Sequence, residues 1–452
     1  MRELYSAFDL PLAELCWVHA KARRREGLLR TLKTIFALSS GLPPAGIALV
    51  RISGPKAGSV LAALSGSLPK PRKASYRRFV DPATSQPLDD GLAIWFPGPA
   101  TATGEDVAEL HLHGGRAVVA AVLGCLSQQE GLRPAQAGEF TRRAFENGRI
   151  DLAQAEGLAD LLAAETEGQR RSALALAEGA LGAHVAQWQR QLLRESALIE
   201  AALDFSDEGD VEETGERDAE GIKALTSEVR ALLANPPAER LRDGVRVVLA
   251  GPPNAGKSSL FNILIGRDAA IVTDIAGTTR DRIEAPVVLD GLPLLFIDTA
   301  GLRDESDDAV EALGIARTGE ALAQADLILW LGEPAGAPEK ALLIAAKADL
   351  GGVRPGLAVS VLTGAGVAEL RLVVAQAAKA LLPQDGSLAL NARHRAILEA
   401  ALIDLDEAAQ ATDLLIVAEH LRAARGQLDA LTGKAGVEDM LDALFSGFCI
   451  GK

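Results

Sequence analysis

Cysteine is scarce in this chain. Only Cys16, Cys125 and Cys449 occur, too far apart for a disulfide framework or a zinc pattern, and a reducing cytoplasm fits that usage best. Long apolar runs are lacking too: 48% of the residues are hydrophobic, yet no stretch approaches the length that crosses a bilayer. Positive charge is in deficit, and a formal net charge of −15 excludes a generally basic, nucleic-acid-binding surface. Any RNA contact must be local, or shared with a partner that carries the positive charge. A secretory signal is missing as well, because no apolar segment with a cleavage site follows the basic run Lys21 to Arg25. Residues 1–30 are expected to be a poorly ordered extension, or the product of a start codon placed too far upstream; a transit peptide or an RNA-binding arm are the alternatives.

What is present is a phosphate loop. Gly251-Pro252-Pro253-Asn254-Ala255-Gly256-Lys257-Ser258 follows the apolar run Val245 to Ala250, which reads as a buried strand, and runs into Ser259-Leu260-Phe261-Asn262, which reads as a helix start. Glycines let successive N–H groups converge on an anion, and the helix N-terminus adds partial positive charge. Lys257 is placed to reach the β- and γ-phosphates, and the Ser258 hydroxyl to bind Mg²⁺.

At 452 residues the chain has room for two or three domains. From 31 to 148 short strands (Ile47–Ile52, Gly91–Phe96, Asp106–Leu112) mix with a helix near Ala117–Leu126, the pattern of a compact α+β unit. Residues 149–240 and 384–452 are rich in Ala and Leu at helical spacing, including Leu158, Leu181, Val185, Trp188 and Leu192, then Leu398, Leu405, Leu421 and Leu428. Long packed helices are expected there. Between them, bounded by Asn235-Pro236-Pro237 and Leu382-Pro383-Gln384-Asp385-Gly386, lies the nucleotide domain, 241–383. The expected fold is therefore multidomain: an N-terminal α+β domain, an all-α helical domain, and a Ras-like α/β P-loop domain inserted into the helices.

Within the insert, Asp290-Gly291 between two apolar runs signals a hairpin, and the second run ends in Asp298-Thr299-Ala300-Gly301. A strand-end Asp before a glycine whose N–H can meet the γ-phosphate is a GTPase switch arrangement. Thr279, in Gly277-Thr278-Thr279, is the expected second Mg²⁺ ligand and γ-phosphate sensor. For the base, Lys347-Ala348-Asp349 follows the strand Leu342–Ala346, and Asp349 can accept two hydrogen bonds from guanine. The Asn usual two residues before that Ala is replaced by Ala346, a loss expected to weaken binding by about 1–3 kcal/mol without changing the preferred base. Ser360 belongs to the next base-side loop.

Taken together these stretches resemble the MnmE (TrmE) family of tRNA-modification GTPases. The likeness runs through Gly46 to Gly54, Thr103 to Leu110, His113-Gly114-Gly115, Gly138 to Phe145, Asp151 to Glu156, the GTPase motifs, and the terminal Phe448-Cys449-Ile450-Gly451-Lys452. It implies an N-terminal domain that dimerises and binds a one-carbon folate, 5,10-methylene- or 5-formyl-tetrahydrofolate, through Arg51, Glu109, Arg149 (Lys is common there) and Lys452. It implies a guanine-nucleotide site formed by Asn254, Ala255, Gly256, Lys257, Ser258, Ser259, Thr273, Asp274, Ile275, Ala276, Gly277, Thr278, Thr279, Asp298, Thr299, Ala300, Gly301, Lys347, Asp349 and Ser360. Within it K⁺ would be held by Asn254, Thr273, Ile275 and Thr278, and Mg²⁺ by Ser258 and Thr279. Catalysis would rest on Lys257, Thr279 and Glu311, the last placing the water, with one residue more than usual between Gly301 and Glu311.

The resemblance further implies a cytoplasmic homodimer whose G domains pair to hydrolyse GTP. With a flavoprotein of the MnmG (GidA) type carrying FAD, in a heterotetramer or larger complex, it would add an aminomethyl-type group at C5 of the wobble uridine of certain tRNAs. No membrane is involved in this reading. A ribosome-assembly GTPase of the Era or EngA type, or a nucleotide-gated scaffold with little turnover, are the alternatives; K⁺-stimulated hydrolysis and an α+β folate domain separate them from the first reading.

Overall fold

The computed structural model describes residues 33–204, 219–266, 270–271, 284–299, 319–352, 354–384, 387–434 and 438–451. The extension 1–30, with Cys16, lies outside them. Two compact units divide the chain: the described residues up to Ala155 together with those from 438 onward, and those from Glu156 to 434.

In the first unit, strands β1 (Thr34–Leu38), β2 (Ala45–Ser53), β3 (Ser75–Val80), β4 (Pro87–Phe96), β5 (Val107–Gly114) and β6 (Leu132–Pro134) form a six-stranded sheet in the order β3-β4-β5-β2-β1-β6. Only β1 and β6 run parallel; the other neighbours are antiparallel. Successive side chains on a strand point to opposite faces. Ala48, Val50 and Ile52 of β2 and Ala108, Leu110 and Leu112 of β5 therefore enter one core, closed by Leu61 and Leu64 of the helix Ala57–Ser65 and by Val122 and Leu126 of the helix Arg116–Gln128. Cys125 sits in that core, where burial pushes its thiol up to about 11 and disfavours the thiolate.

The last described residues complete this unit. The helix Glu438–Ser446 packs on the helix Glu139–Glu146, where Arg142 donates to Asp442 at 2.6 Å and the Phe145 and Phe445 rings lie 6.5 Å apart. Ile450 then bridges to Ala137, and the Gly451 carbonyl accepts from Ser39 Oγ at 2.8 Å. Gly451 has φ 104°, and a Cβ there would stand 2.2 Å from the Leu38 carbonyl oxygen. Only glycine fits this docking.

In the second unit, β7 (Val245–Ala250), β8 (Ala270–Ile271), β9 (Glu284–Leu289), β10 (Leu292–Asp298), β11 (Leu327–Trp330), β12 (Leu342–Ala346) and β13 (Leu357–Val359) form a seven-stranded sheet, ordered β13-β12-β11-β7-β10-β9-β8. The neighbours from β13 to β10 are parallel, and β9 and β8 add antiparallel. β7 is buried along almost its whole length, as a central parallel strand covered on both faces must be. Asp290 (φ 51°) and Gly291 (φ 77°) both take the left-handed region, the two-residue turn that matches the twist of a hairpin.

The helical part is built from Ala180–Asp204, Glu220–Leu233, Ala392–Gln410 and Leu414–Leu431. Their buried stripes (Leu181, Val185, Trp188 and Leu192; Ile222, Leu225 and Val229; Leu398, Ala401 and Leu405; Val417, Leu421, Ala424 and Leu428) recur at helical spacing. The stretch before them is not one long helix. It breaks into Leu152–Ala163 and Glu167–Ala177, because Thr166 and Gln169 form a capping box that starts the second and Gly179 (φ 92°) ends it.

A largely buried ion cluster joins the helix that precedes the insert to the helices that follow it. The Glu156 carboxylate accepts from Arg393 Nε at 2.8 Å, from Arg393 Nη2 at 2.7 Å and from His394 Nε2 at 2.7 Å, and His394 has no exposed surface. His394 Nδ1 accepts the Asn391 backbone N–H, so its proton is on Nε2, facing Glu156. Burial alone would raise the Glu156 carboxyl, but the bonds from His394 and Arg393 outweigh that and hold it at about 2. Nearby, the chain leaving the bundle and the chain returning to it lie side by side: Ala238 N donates to Leu390 O at 2.9 Å and Arg395 Nη2 to Leu233 O at 2.8 Å.

Glu156→Ala is expected to destabilise the fold by about 3–5 kcal/mol, the effect of stranding a buried cation, read by chemical unfolding at neutral pH. Because the folded carboxyl titrates below its unfolded value, its contribution is complete above about pH 4.3 and lost as pH falls toward 2. The gap between parent and Glu156→Gln should therefore close across that acid window; a constant gap would refute the assignment.

Candidate nucleotide site

β7 delivers the phosphate loop at the centre of the sheet. Gly251 leaves the strand with φ 145°, and a Cβ there would meet the Leu331 carbonyl oxygen at 2.9 Å. Asn254 (φ 59°) and Gly256 (φ 101°) complete the turn, and the helix Lys257–Leu264 begins at once, anchored by buried Leu260, Phe261 and Leu264. Lys257 is buried at the base of the loop, its Nζ donating to the carbonyls of Gly251 (3.1 Å) and Pro252 (3.0 Å). Ser258 and Ser259 expose their hydroxyls at the helix start. A helix N-terminus and a lysine thus lie together at the loop, the combination that favours an anion.

The neighbouring strand ends face the same edge. Asp298 closes β10 opposite Leu249 of β7 and is almost wholly buried, while Thr299 Oγ1 donates to the Leu249 carbonyl at 2.8 Å. Beyond β12, Asp349 Oδ1 accepts from Ser360 Oγ at 2.6 Å, and that hydroxyl accepts the Thr363 N–H at 3.2 Å. Ser360 is fully buried, so it fixes the Asp349 carboxylate and leaves its other oxygen for a ligand. Lys347 (φ 58°) donates from Nζ to the Asn254 carbonyl at 2.7 Å. Asn254, Ala255, Gly256, Lys257, Ser258, Ser259, Asp298, Thr299, Lys347, Asp349 and Ser360 thus gather outside the carboxyl ends of parallel strands, where open α/β sheets bind ligands. Thr273, Asp274, Ile275, Ala276, Gly277, Thr278, Thr279, Ala300, Gly301 and Glu311 lie outside the described residues.

In the N-terminal unit the register of β2 and β5 sets Arg51 directly opposite Glu109. Arg51 Nε and Nη2 donate to Glu109 Oε1 at 3.0 and 2.9 Å, and the guanidinium carbon lies 5.9 Å from the centre of the Phe140 ring. His111, two residues on and so on the same face of β5, brings Nε2 to 3.7 Å from Glu109 Oε2; that alternation was its readable signal. Arg149 is exposed and donates to the Thr101 carbonyl at 3.1 Å. Lys452 lies outside the described residues, while Gly451 is seated against the end of β1. Two motif residues, Glu105 and Arg143, are spent on structure: Arg143 is buried and donates to Glu105 Oε2 (2.9 Å), Glu139 Oε1 (3.1 Å) and the Lys33 carbonyl (2.9 Å). Among the described residues no group of His, Cys, Asp and Glu could hold a metal by itself, and no helix is long and apolar enough to cross a membrane.

Comparison with known proteins agrees with this arrangement. The family model described as the MnmE helical domain matches residues 152–449, and that of the GTP-binding protein TrmE N-terminus matches 34–149. The tRNA modification GTPase MnmE of Rhizorhabdus wittichii is 57% identical over 424 residues, 93% of this chain and 96% of that protein. That of Erythrobacter litoralis is 53% identical over 425 residues, 93% of this chain and 100% of that protein. With a phosphate loop on the central strand, a bundle divided by the insert, and identity above one half along nearly the whole length, the chain belongs to the MnmE family of tRNA modification GTPases.

Proposed function

We propose that this chain hydrolyses GTP at the edge formed by β7, β10, β12 and β13, and that hydrolysis serves the modification of tRNA. The observation that carries the reading is the convergence, on that edge, of an anion loop, a buried strand-end carboxylate and a pre-oriented Asp349–Ser360 pair. The loop amides and Lys257 hold the phosphates, and Asp349 accepts from the guanine ring and amino N–H groups, which adenine cannot offer. Ser258, with Thr279, suits magnesium, a hard cation that takes oxygen ligands, and the exposed Asn254 with Thr273, Ile275 and Thr278 offers oxygens to potassium. Cations held by these residues would supply positive charge that offsets the negative charge of the phosphates. Glu311 positions the attacking water.

In the N-terminal unit the Arg51–Glu109 pair, with Arg149 and Lys452, fits a tetrahydrofolate one-carbon carrier. Arginine meets its glutamate carboxylates and Glu109 the pterin N–H groups. The chain acts as a homodimer, and a flavoprotein of the MnmG type, carrying FAD and much of the tRNA contact, completes the transfer to C5 of the wobble uridine. The acidity of this chain supports that division of labour.

GTP hydrolysis is expected to run at least about tenfold faster in K⁺ than in Na⁺ buffer, the scale of one well-placed electrostatic contact in a phosphoryl transfer site. Asn254→Ala should abolish the difference; equal rates in the two salts for the parent would refute the potassium role. In a calorimetric titration with 5-formyl-tetrahydrofolate, Arg51→Ala should weaken binding about tenfold or more, the loss of one charge-assisted contact. Identical affinities, or none in the parent, would remove folate from the N-terminal unit.

A further inference from the structure

The helices Leu152–Ala163 and Glu167–Ala177 follow one another through a short connection and approach again at Gly157, where a Cβ would stand 2.5 Å from the Ala177 backbone nitrogen. Between those two points Ala163, Ala164 and Ala173 face the gap, with side chains too short to fill it. Leu176 flanks them. Ala238 and Leu241, at the short helix Glu239–Arg242 of the chain leaving the bundle, and Ala389 of the chain returning to it form the opposite wall. What remains is a half-open cavity of about 410 Å³, its mouth included.

Asp160 also lines this cavity, and among the described residues its carboxylate forms no hydrogen bond and no ion pair. The charged groups around it are Arg242, Glu156, His394 and Asp243. Both cations are committed elsewhere: Arg242 Nε donates to Asp243 Oδ1 at 2.9 Å, and His394 Nε2 to Glu156 Oε2 at 2.7 Å. Burial pushes the Asp160 carboxyl up. The contrast with Glu156, one turn earlier on the same helix and met by three N–H groups, is plain. The Ser172 hydroxyl on the facing helix is likewise without a partner among the described residues. A partly buried charge is costly until a donor meets it. A few such polar groups in an otherwise apolar hollow are what orients a small molecule.

We propose that this cavity binds a small aliphatic ammonium, its N–H groups donating to the Asp160 carboxylate and its short carbon chain lying on the alanine and leucine wall. An ammonium brings three donors and no acceptor, which suits a carboxylate with the Ser172 hydroxyl available as a second acceptor. An alcohol of the same length offers one donor and no charge, and a carboxylate is repelled. The formal net charge of −15 favours entry of a cation. The site shares no residue with the nucleotide edge or with the Arg51–Glu109 pair and rests on neither reading. Its occupant touches both the chain that leaves the bundle and the chain that returns to it.

Titration of n-butylammonium into the full chain at neutral pH, followed by saturation-transfer NMR with n-butanol and n-butyrate beside it, tests the proposal. The amine should bind saturably and about tenfold or more tighter than the alcohol, the scale of one charge-assisted contact, and butyrate should not displace it. Asp160→Asn keeps the shape and removes the charge; it should weaken the amine about tenfold or more and move the alcohol by less than about threefold. Ala173→Leu, which fills the cavity, should abolish binding of both. Glu419→Gln, at an exposed surface pair, should change nothing. Circular dichroism confirms that each chain compared is folded. Equal affinity for amine and alcohol, amine binding unchanged in Asp160→Asn or in Ala173→Leu, an equal loss in Glu419→Gln, or no saturable binding to the parent would overturn the site.

Discussion

One carboxylate holds the helical part of this protein together across a long interruption in sequence. Glu156 lies before the inserted nucleotide domain, and Arg393 and His394 lie after it. A charge in this setting is unfavourable unless every lone pair is used, and here three N–H groups converge on it with the histidine tautomer set by Asn391. The ion cluster adds a directional, hydrogen-bonded contact to the non-directional packing of the hydrophobic stripes. Because the outgoing and returning chains are bonded side by side at the seam, the insert hangs from a narrow, ordered neck.

The neck has a counterpart on the insert side. Arg240 Nε donates to Asp326 Oδ1 at 2.7 Å, and Asp326 Oδ2 accepts the Arg246 N–H at 3.0 Å, so the short helix Glu239–Arg242 is joined to the starts of β7 and β11. On its other flank Gln169 Nε2 donates to the Leu241 carbonyl at 2.9 Å. Strand β7 carries the phosphate loop at its far end and this junction at its near end. The loop and the bundle are thus connected by one strand and a few hydrogen bonds at its base.

Much of this was legible in the residues alone. The strand Val245–Ala250, the turn at Asp290-Gly291 and the strand Leu342–Ala346 fall where buried apolar runs and left-handed turn residues require them. Other features needed three dimensions. β3 reads Ser-Tyr-Arg-Arg-Phe-Val and buries only Phe79, since it is an edge strand with little apolar signal to give. The opposition of Arg51 and Glu109 is a fact of register between strands separated by two others in sequence; spacing could not supply it, and their selection came from family likeness. The breaks at Thr166 and Gly179 were hidden inside an alanine-rich run whose composition favours helix throughout. The tie from Lys347 to Asn254 was invisible because two loops had to fold before it existed.

The seating of Gly451 against β1 has a consequence for how the protein is made. The first unit joins β1 to residues that lie beyond the insert, so it stays incomplete until the whole nucleotide domain has been made. The nucleotide-binding insert, continuous in sequence, can mature earlier and emerge already shaped. The N-terminal sheet must wait, with the end of β1 and the helix Glu139–Glu146 uncovered, until residues 438–451 arrive.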